Sequence, residues 1–263
     1  MIKYNFKNKL VLVLASSKGI GFELAKSFFI NNADVAICGR NQKNLINAKK
    51  NLKTIKNNNK VEYFKTDLSK KNEIKKLFFN VKKKFKREVD ILINNSGGPE
   101  AKAIIKTKET DWEYAINNNL ISFIRTSLEV ITGMKKKRWG RIVNLTSSTA
   151  KEPAQNMVLS NVTRAGVLAF AKTLSKEIKT EGVTVNSILT GAVMTDRLTR
   201  LIKKNKKISL KKSLKNLNSI IPVQHVADPN EFIQLVLFLC SEEASYVNGA
   251  AIPIDGGLSN TIF

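Results

Sequence analysis

Apolar runs typical of β-strands alternate with segments of helical periodicity along the whole sequence. The runs "LVLVLA", "DVAIC" and "DILIN" are almost continuously apolar, as expected for strands buried on both faces. Between the runs, apolar residues recur at helical spacing, as at Leu24, Phe28 and Phe29. This alternation predicts βαβ units, and therefore a parallel sheet covered by helices on both faces. The predicted strands are Leu10–Ala15, Asp34–Cys38, Val61–Lys65, Asp90–Asn94, Arg141–Thr146, Thr184–Leu189 and Ala251–Ile254.

The length and composition predict a single domain that spans residues 1–263. The chain is 43% hydrophobic, which is enough for one sizeable core, and it contains no Pro/Gly/Ser-rich linker and no repeat. No apolar run approaches the ~18 residues that a membrane span needs. The lysines and apolar run near the start resemble a signal peptide, but the apolar run is too short and is better explained as the first strand. A cytoplasmic protein with no membrane partner is therefore expected.

The net charge of +24 raises the question of a nucleic-acid partner or an acidic substrate. Lysine and asparagine are spread over every predicted helix, as in "KKNLKTIKNNNK", and no nucleic-acid-binding motif accompanies them. We therefore expect a compositional bias and no specific nucleic-acid partner. Cys38 and Cys240 lack the spacing of a disulfide framework or a metal site, and His225 is the sole histidine. Neither a metal centre nor a Ser-His-Asp triad is expected.

In a sheet of this kind, ligands bind at the carboxyl ends of the strands. The segment "ASSKGIGFELA" follows the first predicted strand, and Gly19 and Gly21 open the next helix. Glycines allow the backbone to approach a pyrophosphate, and the helix N-terminus offers free N–H groups and the positive end of its dipole. The hydroxyls of Ser16 and Ser17 are further candidate donors. The pattern predicts a dinucleotide site, although two glycines near a turn are by themselves also compatible with a simple strand–helix connection.

Arg40 follows the second predicted strand, at the position that decides the choice between NAD and NADP. An acidic residue there would hold the ribose 2′-hydroxyl of NAD, whereas an arginine accommodates the 2′-phosphate of NADP. Lys18 lies in the glycine loop nearby, and no acid accompanies the two cations. The sequence therefore predicts NADP. Farther along, Asp67 is a candidate acceptor for the adenine amino group, and Asn94, Gly97 and Gly98 suit a chain that passes close to the cofactor.

Several motifs together resemble those of the short-chain dehydrogenase/reductase family. "ASSKGIG" resembles TGxxxGIG with Ala15 in place of the first glycine, "NNSG" resembles NNAG, and "GRIVNLTSS" resembles the strand that ends in the catalytic serine. "NNNLISF", "VTVNSILTG" and "FLCSEEASYVNGAAIPIDGG" extend the match over nearly the whole chain, with Thr190 where proline is usual. Within the family, the motifs are most similar to those of 3-oxoacyl-[acyl-carrier-protein] reductase-like members.

The resemblance implies a Rossmann-type, doubly wound α/β fold with about seven parallel strands, and an NADP-dependent oxidoreductase. It also implies a homotetramer or dimer, a small carbonyl or alcohol substrate such as a 3-oxoacyl thioester, and a pocket closed by the segment 195–220. The implied catalytic positions are Asn119, Ser147, Ser160 and Arg164. The implied cofactor-binding positions are Ser16, Ser17, Lys18, Gly19, Ile20, Gly21, Arg40, Asp67, Leu68, Asn94, Ser96, Gly97, Arg164, Gly191 and Val193.

The sequence departs from the family pattern where a tyrosine usually donates the proton and a lysine four residues on supports it. Ser160 and Arg164 occupy these positions, one turn apart on an apolar helix. Serine is a weak acid with a short reach, and arginine stays protonated, so neither replaces the tyrosine directly. Three alternatives remain: a water held by Ser147, Ser160 and Asn119 supplies the proton; the acid is another residue, such as Tyr114 or Tyr246; or the chain is a non-catalytic NADP-binding protein with a regulatory or scaffold role.

Overall fold

Within residues 4–179, 182–203 and 208–262, which the computed structural model describes, seven strands form one parallel sheet. Their order is β3-β2-β1-β4-β5-β6-β7. The strands are β1 Leu10–Val13, β2 Asp34–Gly39, β3 Val61–Lys65, β4 Ile91–Asn94, β5 Gly140–Leu145, β6 Val183–Thr190 and β7 Ala251–Ile254. The predicted Rossmann-type α/β fold is confirmed, and the strand boundaries agree with the prediction to within two residues.

Helices cover both faces of this sheet. They are α1 Gly19–Ile30, α2 Gln42–Lys53, α3 Lys71–Phe85, α4 Glu109–Ile116, α5 Ser122–Lys137, α6 Val158–Glu177, α7 Asp196–Lys203, α8 Leu210–Ile220 and α9 Pro229–Cys240. Side chains on a strand alternate between the two faces, so Val11 and Val13 pack with α1, α2 and α9, whereas Leu10 and Leu12 pack with α3, α5 and α6. Burial of both faces explains why the central strands are continuously apolar.

The strand order reverses between β1 and β4, because β2 and β3 extend the sheet on one side and β5 to β7 extend it on the other. The connections that leave β1 and β4 therefore diverge to opposite faces, and a crevice opens at the carboxyl ends of these strands. The predicted pocket segment, 195–220, follows β6 and contributes α7 and α8; residues 204–207 of this segment, and with them part of the lysine-rich run 203–212, lie outside the described residues.

Both cysteines are buried on opposite faces of the sheet, Cys240 in the cluster with α1 and Cys38 in the cluster with α3. Burial raises the pKa of Cys38 to about 12 and also raises the pKa of Cys240, so both thiols stay protonated at neutral pH. In the described part of the chain, no helix has the length and apolar character that crossing a bilayer requires.

Ala15 marks an abrupt change of direction at the end of β1. Its φ of 46° lies in the left-handed region, which disfavours any residue with a Cβ by roughly 1–2 kcal/mol. The turn ends β1 at Val13, two residues earlier than predicted. It also directs the chain into the glycine loop, which explains why the family pattern has glycine at this position.

We predict that Ala15→Gly raises the free energy of unfolding by about 0.5–1 kcal/mol, because relief of the left-handed strain exceeds the entropic cost of a new glycine. Urea unfolding measures the change. The matched control is Ala103→Gly, since Ala103 has an ordinary φ of −61°; this variant should lose about 0.4–1 kcal/mol. Equal losses in the two variants would contradict strain at Ala15.

Candidate active site and cofactor groove

The glycine loop brings the start of α1 against the ends of β1 and β4. A Cβ on Gly21 would lie 2.7 Å from the Ala15 carbonyl oxygen and 2.7 Å from Asn95 Nδ2, so only glycine fits. Gly19 has a φ of 59°, which also favours glycine. Within the described residues, no side chain caps the N-terminus of α1 and no acid lies in its first turn. The loop therefore fits the diphosphate of a dinucleotide, with uncapped amides and a positive dipole end.

The two serines of this loop have different surroundings. The Ser16 hydroxyl is fully buried, donates to the Val13 carbonyl at 2.6 Å and accepts from the Cys38 amide at 3.1 Å. Ser16 therefore ties the end of β1 to β2 with its only hydroxyl hydrogen, and its place among the cofactor-binding residues stays a prediction. Ser17 Oγ lies beside Gly39, 3.4 Å from where a Cβ would stand, at the end of β2. Ser17 remains a candidate donor.

Arg40 lies exposed immediately after β2. Its Nη1 donates to the Tyr114 hydroxyl at 2.6 Å, and its guanidinium carbon lies 5.9 Å from the centre of the Tyr114 ring. None of the described carboxylates forms an ion pair with Arg40. The arrangement suits a phosphate group, because the guanidinium is held in place by a phenol yet keeps donors for an anion.

The asparagines that end β4 also differ in their contacts. Asn94 is fully buried; its amide donates to Ser127 Oγ and Asn144 Oδ1, and its oxygen accepts from Thr126. Its side chain therefore links β4 to β5 and α5, and the expectation that the chain at Asn94 passes close to the cofactor stays a prediction. Asn95, which the sequence analysis missed, donates instead to the carbonyls of Leu14 and Ala15, beside the glycine loop.

The remaining predicted cofactor positions all lie at the carboxyl edge of the sheet. Asp67 follows β3, where one of its carboxylate oxygens accepts from Ser69, and Leu68 beside it is buried. Gly191 and Val193 follow β6. A Cβ on Gly191 would lie 2.6 Å from the Asp255 Cα, so the backbone passes close to the chain that follows β7. The structure thus brings the predicted segments to one edge.

Asn119 lies in a single π-helical turn, Asn117–Ile121, between α4 and α5. Such turns are frequent at functional sites because the extra residue redirects the side chains. The Asn119 amide donates to Ser96 Oγ at 2.7 Å and to the Gly97 carbonyl at 3.0 Å. Both amide hydrogens are therefore used within the protein, and Asn119 holds the loop after β4 in place.

Arg164 carries a buried positive charge into the same network. Its Nη1 donates to the Leu145 carbonyl at the end of β5, at 3.0 Å, and its Nη2 donates to Ser96 Oγ at 3.3 Å. The guanidinium carbon lies 5.4 Å from the centre of the Phe123 ring. Burial, together with the charge of Arg197, lowers the pKa of Arg164 to about 10, so the group remains protonated at neutral pH.

Ser96 is the junction of this network. Its oxygen accepts hydrogen bonds from both Asn119 and Arg164, and its side chain is almost fully buried. The family pattern has alanine at this position, so the unusual serine supplies the acceptor that the unusual arginine requires. The sequence contained this signal in the motif "NNSG", but only the structure shows which side chain Ser96 serves.

The two hydroxyls of the predicted catalytic set flank the arginine. Ser147 follows β5, and its Oγ accepts from the Thr149 amide at 3.3 Å and from Thr149 Oγ1 at 3.1 Å. Ser160 lies one turn before Arg164 on α6, and its hydroxyl has no hydrogen-bond partner among the described residues. Ser160 is therefore free to bind a water or a substrate oxygen.

The structure does not bring either alternative acid to this place. Tyr246 is fully exposed after α9. The Tyr114 hydroxyl binds Arg40 at the end of β2. Three strand spacings separate β2 from β5, which carries Ser147, and this corresponds to roughly 14 Å.

Arg197 on α7 is a further residue that the sequence analysis missed. It is partly buried, and it donates from Nη1 to the Gly98 carbonyl at 2.7 Å and from Nη2 to the Pro99 carbonyl at 2.9 Å. These bonds join α7 to the loop after β4. The sequence gives no signal for this residue, because it stands in a segment that is rich in lysine and arginine.

The fold and the candidate site define a Rossmann-type α/β protein with a small polar centre at the carboxyl edge of its sheet. The family model described as enoyl-(acyl carrier protein) reductase matches residues 14–259. The 3-oxoacyl-[acyl-carrier-protein] reductase of Chlamydia pneumoniae is 31% identical over 251 residues, which cover 95% of this chain and 97% of that protein. The corresponding reductase of Thermotoga maritima is 30% identical over 252 residues, with coverages of 96% and 98%.

A solved structure agrees with these sequence relatives. L-sorbose reductase from Gluconobacter frateurii, complexed with NADPH and L-sorbose, matches with a TM-score of 0.93 at 26% identity, over 99% of this chain and all of that chain. The chain belongs to the short-chain dehydrogenase/reductase family of oxidoreductases, as its motifs predicted.

We predict that Ser96 and Arg164 depend on each other energetically. Ser96→Ala removes an acceptor from a buried guanidinium and should lower the free energy of unfolding by about 1–3 kcal/mol. In an Arg164→Lys variant, Ser96→Ala should lower the free energy of unfolding by at least about 0.5 kcal/mol less than in the wild type. The reason is that the guanidinium, which needs Ser96 as an acceptor, is then absent. Urea unfolding of the two single variants and the double variant gives this difference.

The control for this comparison of single and double variants is Ser241→Ala, which removes a buried hydroxyl that donates to the Phe238 carbonyl. The Ser241 carbonyl binds Arg141 near the start of β5, at the opposite end of the sheet from Arg164. The changes in the free energy of unfolding caused by Ser241→Ala and by Arg164→Lys should therefore be additive within about 0.5 kcal/mol. If the effects of Ser96→Ala and Arg164→Lys are also additive, Ser96 and Arg164 do not depend on each other energetically.

Proposed function

We propose that the chain is an NADP(H)-dependent oxidoreductase that interconverts a carbonyl and an alcohol. The observation that carries the proposal is the position of Arg164: it lies one turn after Ser160 on α6, and it binds the Leu145 carbonyl, two residues before Ser147. The glycine loop and the uncapped α1 suit the diphosphate, and Arg40 with Ser17 and Lys18 suits a 2′-phosphate. The related L-sorbose reductase, solved with NADPH, supports the same cofactor.

NADPH, when bound, supplies the hydride, and this chain's own residues must position the carbonyl and deliver a proton. Arg164 places a fixed positive charge beside the reacting centre, where it favours the negative oxygen that hydride addition creates. Burial lowers the pKa of its guanidinium to about 10, and the group still carries its positive charge at neutral pH. Arg164 therefore provides electrostatic support and a candidate contact for the nicotinamide ribose.

The proton reaches the substrate oxygen from a water in this proposal. The Ser160 hydroxyl is unpaired among the described residues, and Ser147 Oγ has donor capacity left, so the two can hold a water in the space of the missing tyrosine ring. The Asn119 amide hydrogens are already donated to Ser96 and Gly97. The role we first expected for Asn119 thus changes from holding the water to positioning Ser96.

The alternative is a non-catalytic NADP-binding protein with a regulatory or scaffold role, favoured by the single observation that serine replaces the tyrosine at position 160. A screen of NADPH oxidation over 3-oxoacyl thioesters, sugars and quinones separates the two. Substrate-dependent loss of NADPH absorbance supports the enzyme, whereas cofactor binding without turnover on any carbonyl supports the binder. The expected dimer or tetramer, cytoplasmic location and specific substrate stay predictions.

We predict that NADPH binds at least about tenfold more tightly than NADH, which corresponds to roughly 1.4 kcal/mol, because Arg40 meets the 2′-phosphate. Arg40→Asp should reverse this preference. Calorimetric dissociation constants for both cofactors measure it. Lys50→Asp on α2 makes the same charge change at an exposed site and should leave the preference intact. Equal affinity of the wild-type protein for both cofactors would exclude the proposed role of Arg40.

We predict that Ser147→Ala lowers kcat/KM by about 10²–10⁴-fold while the dissociation constant of NADPH changes little, because Ser147 polarises the substrate oxygen and holds the proton-donating water. Ser160→Ala should be milder, since Ser147 still holds the water. NADPH absorbance with the best carbonyl from the screen measures both rates. If Ser160→Ala abolishes turnover and Ser147→Ala does not, Ser160 is the essential group and this assignment is wrong.

A further inference from the structure

Two arginines lie close together near the proposed reacting centre, and neither has an acidic partner. Burial is the main cause that lowers the pKa of both Arg164 and Arg197, and the charge of Arg197 on Arg164 and that of Arg200 on Arg197 lower them further. None of the described carboxylates forms an ion pair with Arg164 or Arg197. Elsewhere in the chain, partly buried cations do have acids, as for Arg87 with Asp34.

Both guanidiniums keep donors for a further ligand. Each donates two hydrogen bonds to described residues, and a guanidinium has five N–H groups. The partners of Arg197 are backbone carbonyls, which hold the side chain in place and leave its charge uncompensated. Gly98 makes room for it, because a Cβ there would lie 2.5 Å from Arg197 Nη2.

A buried or partly buried charge without a counter-ion is costly. An anion that enters this place would recover part of that cost and would gain charge-assisted hydrogen bonds. Arg164 and Arg197 therefore form an electropositive patch beside the loop after β4, to which Ser96, Gly98 and Pro99 belong.

The cofactor's phosphates have other candidate partners in this chain. The glycine loop that fits the diphosphate follows β1, and Arg40 follows β2, whereas Arg164 packs at the end of β5 and Arg197 follows β6. The Arg197 guanidinium is bonded to the carbonyls of Gly98 and Pro99 after β4, and β4 lies two strand spacings, or about 10 Å, from β2. The substrate is therefore the source of the anion that the positions of Arg164 and Arg197 favour, and the NADPH affinity of Arg197→Gln tests the cofactor's diphosphate as the other source.

We propose that the substrate is a carbonyl compound that carries a carboxylate, with Arg197 as the residue that binds this carboxylate. The inference rests on the proposed oxidoreductase function and names its substrate class. Arg197 offers the planar fork that matches a carboxylate, and Arg164 adds a second positive charge next to the carbonyl. A thioester, which carries no charge at the acyl carbon, would leave Arg197 without a counter-ion.

The experiment compares 2-oxo and 3-oxo acids with their methyl esters. Calorimetry of the protein–NADP⁺ complex measures binding alone, because the oxidised cofactor transfers no hydride to a ketone. At least one acid should bind about tenfold or more tightly than its ester. Arg197→Gln should abolish this preference, and Arg197→Lys should retain part of it. Gly98→Ala should weaken the preference by displacing the Arg197 side chain, with no loss of charge.

Lys203→Gln is the matched control, because Lys203 is an exposed cation on the same helix. It should leave the acid preference unchanged, whereas equal losses in Lys203→Gln and Arg197→Gln would mean that only the overall charge matters and would overturn the proposal. NADPH affinity should stay unchanged in Arg197→Gln, which shows that the variant is folded. If it does not fold, Arg197→Lys and Gly98→Ala carry the test.

Failure of this proposal differs from failure of the proposed function. If esters and acids bind and are reduced equally well, the oxidoreductase stands and the carboxylate site is wrong. If acids bind through Arg197 but no carbonyl is reduced, the carboxylate site stands and the chain is a binding protein. If no acid binds better than its ester, the carboxylate site is wrong whatever the outcome of the turnover screen.

Discussion

The reversal of strand order between β1 and β4 is the constraint on which the rest of the structure depends. In a parallel sheet all carboxyl ends lie at one edge, and the reversal opens a crevice there. The glycine loop, Arg40, Ser96, Ser147 and Gly191 each follow a different strand at this edge. Residues that are far apart in the sequence therefore converge because of the topology, and the loops remain free to differ in chemistry.

Within this crevice, the buried charge of Arg164 determines the local arrangement. A lysine ammonium can turn its donors toward many partners, but a guanidinium is a planar fork that needs acceptors in its own plane. The Leu145 carbonyl and Ser96 Oγ supply them, and the Phe123 ring lies near the charge. The arginine is thus fully integrated into the core. This integration supports a working site more than a site in decay.

The sequence was sufficient to predict the sheet and the edge at which the site lies. Continuous apolar runs identify the buried strands. The glycines and polar residues in the loops that follow these strands then identify the edge of the sheet at which a ligand is expected to bind. It was not sufficient to distinguish Ser16 from Ser17, or Asn94 from Asn95. Which of two neighbouring residues of the same type faces the crevice depends on the direction in which the chain leaves the strand. That direction depends in turn on backbone angles such as the positive φ of Ala15. Arg197 could not be found either, because its importance comes from the Gly98 and Pro99 carbonyls, which belong to a distant loop.

The shared hydrogen bonds of Ser96 also restrict how such a site can evolve. Replacement of Ser96 alone leaves a buried N–H donor of the Arg164 guanidinium without its acceptor. Replacement of Arg164 alone removes one of the two donors that bind the Ser96 hydroxyl oxygen. Installing a tyrosine at position 160 by itself would place a phenol beside a group that is a poorer proton relay than lysine. Each single step toward the usual tyrosine–lysine pair thus leads through a less favourable intermediate. The packing of these buried polar groups thus makes the requirements at positions 96, 160 and 164 depend on one another.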